Sequence, residues 1–156
     1  MSPTTPSAAT SANRQRWLSI LAKAPTERLE ALWREVEAVP PYTLVRRPEF
    51  GLVMVQGRIS GTGAPFPAGE MTVTRAAVRL QSGELGIGYV GGRAPRQAEI
   101  VAVIDALGQL AEWHRVLEEG VIAPLMAEAE AARRQRAAKA AATKVEFFTV
   151  AREAGT

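Results

Sequence analysis

Four arginines, Arg58, Arg75, Arg79 and Arg93, are the side chains whose type and spacing best suit anion binding. The first three lie in segments with the apolar–polar alternation of strands, and Arg93 follows a Gly-Gly pair at the predicted start of a helix. Guanidinium groups and free amides at a helix start both bind phosphate or carboxylate groups. These residues therefore predict either a phosphate contact or pairing with carboxylates of a partner. For Arg93, simple chain reversal is the alternative.

The shortage of cysteine and histidine excludes several kinds of catalysis. The chain has no cysteine, which excludes disulfides, an intrinsic iron–sulfur cluster and a thiolate nucleophile. Its one histidine, His114, lies on a predicted apolar helix stripe and is interpreted as a packed side chain. A zinc site would need this histidine with carboxylates alone, and no pair of carboxylates stands beside a nucleophile. We predict no catalytic residue and no metal site in this chain.

A basic cluster near the C-terminus offers an alternative function. No acidic residue interrupts it between Glu130 and Glu146, and its members are Arg133, Arg134, Arg136, Lys139 and Lys144. Such clusters bind nucleic acid, phosphorylated ligands or acidic partners. On an alanine-rich helix a solvated face is the favoured interpretation. A nucleic-acid-binding module that uses Arg133–Lys144 remains the alternative.

The size and composition of the chain fit one domain that buries a core. It has 156 residues, of which 47% are apolar and 22% charged, with a net charge of +3. No apolar run approaches the length of about 20 residues that a membrane span needs. The first residues lack the basic start and apolar centre of a signal peptide, so we predict a cytoplasmic protein. Residues 1–12 read as a disordered tail and 13–152 as a single α+β domain.

The elements that must position the four arginines are predicted as helices around a sheet. A helical hairpin begins at Asn13, turns at Pro25 and stops before the Pro40-Pro41 pair. A four-stranded antiparallel meander follows, and its predicted strands are Tyr42–Val45, Leu52–Ile59, Met71–Leu80 and Glu84–Val90. Apolar residues change phase within the third strand, which predicts a bulge near Thr74-Arg75. Alternate glycines in the fourth strand leave room for a helix, another backbone or a ligand.

Two long helices and an apolar tail are predicted to complete the chain. One helix begins near Pro95, and Gly120 ends it; the other runs from about Ile122 to Ala142. The tail carries Val145, Phe147, Phe148 and Val150, which need the domain or a partner chain to bury them. We predict that these four residues dock a partner and that 127–152 projects from the domain or docks on that partner.

Several segments together resemble the G subunit of the carbon–phosphorus lyase core complex. They are Arg14–Ala22 (RQRWLSILA), Gly51–Leu80 (GLVMVQGRISGTGAPFPAGEMTVTRAAVRL), Gly88–Arg93 (GYVGGR), Ala98–Leu107, Ile122–Leu125 and Val145–Arg152. The run from Gly-Thr-Gly to Thr-Arg-Ala-Ala-Val-Arg-Leu is highly specific for that family. The resemblance covers nearly everything after the N-terminal tail.

The resemblance implies a subunit that works within a larger enzyme of phosphonate catabolism. It implies assembly with the I, H and J subunits, most closely with the I subunit, and functional dependence on the L protein. The complex displaces adenine from MgATP with a phosphonate. The S-adenosylmethionine and iron–sulfur chemistry that later breaks the carbon–phosphorus bond belongs to the J subunit. No cofactor is expected in this chain, whose implied role is to shape an active site held mainly by the I subunit.

One short segment departs from the family pattern. In the family, Gly-Arg is followed by Asp, then by two residues and His. Here Ala94 stands in the place of the Asp and Gln97 in the place of the His. The resemblance therefore transfers no acid–base role to either position.

Overall fold

A computed structural model describes residues 8–142 of the chain. The α-helices are α1 (Ala8–Lys23), α2 (Thr26–Arg34), α3 (Pro95–Leu107), α4 (Ala111–Leu117) and α5 (Ala123–Ala142). The strands are β1 (Tyr42–Arg58), β2 (Pro65–Leu80) and β3 (Leu85–Gly91), with a 3-10 turn at Ile59–Gly61 and a π-helical turn at Glu118–Ile122. The α+β class predicted from the sequence is confirmed. No helix within the described range is long and apolar enough to cross a membrane.

The sheet has three antiparallel strands in the order β1-β2-β3, so the prediction of four strands is wrong. The predicted strands Tyr42–Val45 and Leu52–Ile59 belong to one strand, β1, apart from Ile59, and β1 pairs with β2 on both sides of Pro48. The register shifts at Val45 and again at Arg47–Pro48, in the gap between the two predicted strands. An edge strand accommodates a proline and bulged residues in this way because only one of its sides carries ladder hydrogen bonds.

The bulge predicted near Thr74-Arg75 is not an insertion in β2, because β2 pairs with β3 in unbroken register from Val73 to Arg79. A register shift does lie between Arg75 and Ala77 on the side of β1, but its extra residue belongs to β1. The irregularities that involve β2 face β1 instead, and one of them leaves Ala68 as the extra residue of β2. Sequence reasoning assumed that all apolar residues of β2 face one core. The two sets in fact point to opposite faces of the sheet, since both faces carry apolar side chains.

Helix α3 lies directly against the glycines of β3. A Cβ atom on Gly86 would stand 1.9 Å from the Ala102 carbonyl oxygen, and one on Gly88 would stand 1.8 Å from that of Ala98. Nearly every residue of α3 is buried, because the sheet covers one side while α1 and α2 pack on others. The space left by the alternate glycines is therefore filled by a helix of the same chain.

The remaining helices differ from the two long helices that were predicted. The first ends at Leu107 and has Gly108 as its C-cap, where a Cβ atom would be 2.9 Å from the Trp17 ring. Gly120 does not end a helix but lies inside the π-helical turn that joins α4 to α5. The first helix, α1, begins at Ala8, earlier than the predicted Asn13, and α2 ends at Arg34.

Replacement of Gly88 by alanine tests the close approach of α3 to β3. We expect Gly88→Ala to lower the free energy of unfolding by about 3 kcal/mol, because the helix must move away from the sheet. Urea unfolding followed by circular dichroism measures this change. Gly120→Ala is the matched control, since a Cβ atom there meets nothing within 4 Å. Equal stability of both variants would contradict the packing described here.

Candidate interaction surface

No helix between residues 8 and 142 covers the face of the sheet opposite α3, here named the outer face. Leu85, Ile87 and Tyr89 of β3 lie on this face and are 39%, 47% and 46% exposed. They stand beside Arg79, Ala77 and Arg75 of β2 in the antiparallel register. Apolar and aromatic side chains between arginines are the composition typical of protein–protein contact surfaces.

The apolar surface continues onto the far half of the β1–β2 hairpin, here named the arm. The arm consists of residues 50–58 of β1, the connection 59–64 and residues 65–72 of β2. Side chains on both faces of the arm are exposed, including Leu52 at 64% and Ile59 at 71%. Fourteen large apolar side chains are exposed in the described range, and twelve of these fourteen lie between Leu44 and Tyr89.

The area of this surface exceeds what a monomeric protein leaves bare. At about half exposure and about 150–200 Å² for each large side chain, the ten of these residues that lie on the arm and the outer face present about 900 Å². The largest apolar patch of a typical monomer covers about 300–600 Å². A stable interface needs about 800 Å² from each partner. The arm and the outer face together therefore suffice for a subunit interface.

The structure separates the four arginines that the sequence singled out. Arg75 and Arg79 share the outer face, and the Arg75 Nε atom donates to Glu49 at 2.7 Å. Arg58 lies at the end of the arm and donates to the Gly63 carbonyl oxygen. Arg93 lies over the ring of Phe50, 5.3 Å from its centroid. Only Arg75 and Arg79 are thus placed to contact one ligand or partner, and their predicted contact with phosphate or carboxylate remains a prediction.

The turn before α3 uses its polar groups within the chain. The buried Thr74 hydroxyl donates to the Gly92 carbonyl oxygen at 2.6 Å and accepts from the Ala94 amide at 3.0 Å. Gly92 has a φ of +80°, which a glycine adopts without strain. These contacts favour chain reversal as the role of the Gly91-Gly92-Arg93 segment.

Gln97 has a structural role that sequence reasoning missed. It is 4% exposed, and its Nε2 atom donates to the carbonyl oxygens of Leu21 and Ala24, both at 3.0 Å. Its Oε1 atom accepts from the Thr26 hydroxyl at 2.6 Å. The amide therefore joins the end of α1 and the start of α2 to α3. The side-chain amide of Gln97 acts here both as a donor and as an acceptor, so its role is to hold the three helices together.

Asp105 seals the free edge of β3. Its carboxylate accepts from the Ile87 amide at 2.8 Å and from Arg14 Nε and Nη2 at 2.7 and 2.8 Å. Next to it, the Gln109 Nε2 atom donates to the Leu85 carbonyl oxygen at 2.7 Å. The hydrogen bond to Asp105 raises the pKa of Arg14 against the opposing effect of burial. The sequence signal for this role was the isolated position of Asp105, which is the only charged residue between Ile100 and Leu107.

His114 is packed, as the sequence predicted. Its Nε2 atom lies 2.7 Å from the Gly108 carbonyl oxygen, and its ring centroid lies 5.4 Å from that of Trp17. Trp17 in turn donates to Glu118 at 2.6 Å. Within the described range, no group of three or more histidines and carboxylates is arranged to hold a metal ion.

The basic cluster lies on the exposed part of α5. Arg134 pairs with Glu130 at 3.0 Å, one helical turn away, and Arg133 and Arg136 are exposed. This arrangement neither tests nor excludes the nucleic-acid alternative. Lys144 and the four predicted docking residues, Val145, Phe147, Phe148 and Val150, lie outside the described residues.

Comparison with known proteins assigns the chain to one family. Residues 12–153 match the family model described as phosphonate metabolism protein PhnG. A curated protein of Rhizobium meliloti (strain 1021) is 42% identical over 141 residues, which is 90% of this chain and 90% of that protein. That relative is named alpha-D-ribose 1-methylphosphonate 5-triphosphate synthase subunit PhnG.

Replacement of Asp105 tests whether its carboxylate seals the β3 edge. We expect Asp105→Ala to lower the free energy of unfolding by about 3 kcal/mol, because Arg14 and the Ile87 amide both lose their partner. Asp105→Asn keeps an acceptor for the amide, so it should cost clearly less. Urea unfolding measures the stability, and hydrogen exchange of the Ile87 amide reports the edge. Unchanged exchange in Asp105→Ala would show that the amide does not depend on this carboxylate.

Proposed function

Because the chain belongs to the PhnG family of phosphonate metabolism proteins, we propose that it is a subunit of a synthase of alpha-D-ribose 1-methylphosphonate 5-triphosphate. The observation that carries the proposal is the exposed apolar area of the arm and the outer face, which is as large as a subunit interface. In the part of the chain that the structure describes, this surface has no cover. A stable assembly with another polypeptide would bury it.

The reaction that the assembly carries out is the displacement of adenine from MgATP by a phosphonate. A phosphonate oxygen forms a bond to C1′ of the ribose while the bond from C1′ to N9 of adenine breaks. Adenine takes the electron pair of that bond and a proton, and the 5-triphosphate stays on the ribose. The proposed partners are the I, H and J subunits of the carbon–phosphorus lyase core complex, together with the L protein. S-adenosylmethionine and the iron–sulfur cluster act in the J subunit, at a later step.

Within this assembly the chain shapes an active site that the I subunit mainly holds. Its own side chains support this division. The one histidine is packed against Trp17, and Asp105, the one buried carboxylate in the described range, is bound by Arg14 and a backbone amide. Such groups position elements of the fold. The cytoplasm, where MgATP is available, is the proposed location.

Reconstitution tests the proposed function directly. The remaining synthase subunits are incubated with MgATP and methylphosphonate, with and without this chain, and adenine release is followed by chromatography. We expect release only when the chain is present. Full release by the other subunits alone would overturn the proposal. Release by this chain alone would show that it is itself the enzyme.

A charge placed on the outer face tests whether this face is the interface. Ile87→Glu puts a carboxylate in the middle of the apolar surface, so we expect loss of co-purification with the other subunits and at least a tenfold lower rate of adenine release. Val116→Glu is the matched control, since Val116 is 44% exposed on α4 and Ile87 is 47% exposed. Both variants should keep the circular dichroism spectrum of the parent chain. Normal assembly of Ile87→Glu would place the interface elsewhere, and equal loss in both variants would show that the effect is not specific to the outer face.

A further inference from the structure

The strand register shows which residues of β1 turn their backbone polar groups out of the sheet. The Gly92 amide donates to the Thr72 carbonyl oxygen at 2.8 Å, so Thr72 directs its backbone groups away from β1. Leu52 stands opposite Thr72. Two residues that stand opposite each other in an antiparallel pair direct their N–H and C=O groups either both toward each other or both away from each other. Leu52 therefore directs its N–H and C=O out of the sheet. By the alternation of a strand, Phe50 and Met54 do the same.

The two edges of the sheet differ in whether their outward backbone groups form hydrogen bonds with the described residues. On β3, the outward groups of Ile87 and Leu85 bond to Asp105 and Gln109 of the same chain. On β1, no hydrogen bond from the described residues reaches the outward groups of Phe50, Leu52 or Met54. Three N–H and three C=O groups thus form an open row about 14 Å long, at about 3.4 Å per residue.

Only one half of the β1 edge contains features that prevent pairing with another strand. From Tyr42 to Glu49 the strand contains Pro48 and two register shifts, which are devices that prevent pairing with another strand. From Phe50 to Gln56 it contains no proline and no charged residue, and its register with β2 stays regular up to Val55. Soluble proteins avoid a flat, apolar and uncharged edge unless another strand covers it.

Charges at the two ends of the open row indicate what kind of strand fits. Arg46 and Arg47 lie before the row and Arg58 lies after it, while Glu49 is shared between Arg46 and Arg75. A second copy of this chain, paired antiparallel about Leu52, would bring these arginines toward one another. A strand with carboxylates at both ends is complementary.

We propose that the open edge of β1, from Phe50 to Met54, binds an extended segment of a partner subunit as a fourth strand of the sheet. The segment is apolar at alternate positions and carries an acidic residue on each side. The backbone row supplies the hydrogen bonds, and Leu52 and Met54, which are 64% and 57% exposed, supply apolar contacts. This inference rests on the proposed role as a synthase subunit and adds how the subunit is held.

A proline at Leu52 tests the backbone contribution. Leu52→Pro removes an outward N–H without removing a bond between β1 and β2, whereas Leu52→Ala shortens the side chain and keeps the N–H. We expect the proline variant to bind the co-purified partner subunits at least tenfold more weakly than the alanine variant in calorimetric titration. Thermal unfolding of the free variants controls for folding. Equal binding by the two variants would overturn the proposal.

Amide exchange of the unmodified chain provides a measurement that needs no variant. In the free chain, the amides of Phe50, Leu52 and Met54 should exchange fast, and those of Gly51 and Val53 slowly. In the complex, the first three should become protected by at least a hundredfold. If they stay unprotected while adenine release still requires the chain, edge pairing is wrong and the subunit role stands. If the chain is dispensable for adenine release, the subunit role itself fails.

Other occupants give different results. Protection of the same amides in the free chain that rises with protein concentration would mean that a second copy pairs there. Protection in the free chain that disappears when the chain is truncated after Ala142 would mean that its own C-terminal segment pairs there. Either result would overturn the assignment of the edge to a partner subunit.

Discussion

The contact of α3 with the glycines of β3 is the constraint on which the rest of the structure depends. Because Gly86 and Gly88 have no side chains, the carbonyl oxygens of Ala98 and Ala102 approach the strand to within contact. At this short distance Asp105 reaches past the sheet edge to the Ile87 amide. The hydrogen bond at that edge therefore depends on the close packing. A larger side chain in place of either glycine would disrupt both the packing and the hydrogen bond.

The same packing decides which surface is left for other molecules. The helices gather on one side of a three-stranded sheet, so the other side and the long hairpin receive no cover from the described residues. Hydrophobic burial is the main source of stability in folded proteins, and this chain leaves about 900 Å² of large apolar side chains unused. An exposed apolar area of this size is typical of a protein that forms an interface with another polypeptide, which agrees with the name of the curated relative, a synthase subunit.

The sequence alone predicted the class, the packed His114 and an interaction role, because apolar periodicity and residue types are local signals. The predicted number of strands was wrong, because the sequence analysis left Pro48 between two strands, whereas an edge strand tolerates a proline. The sequence analysis also assigned the apolar residues of β2 to a single core, because alternation alone does not distinguish a buried face from an exposed apolar face. The roles of Asp105 and Gln97 depend on contacts with segments distant in sequence, and no local pattern encodes such contacts.

The bare arm has a consequence for the life of the chain before assembly. In the proposed assembly, a newly made copy would present its strand edge and its apolar surface until the partners bind, and such surfaces attract chaperones, proteases and one another. We therefore expect the cellular amount of this chain to follow the supply of the proposed partners, with surplus copies removed. The surface proposed to join the chain to a complex would thus also set the proportion in which it accumulates.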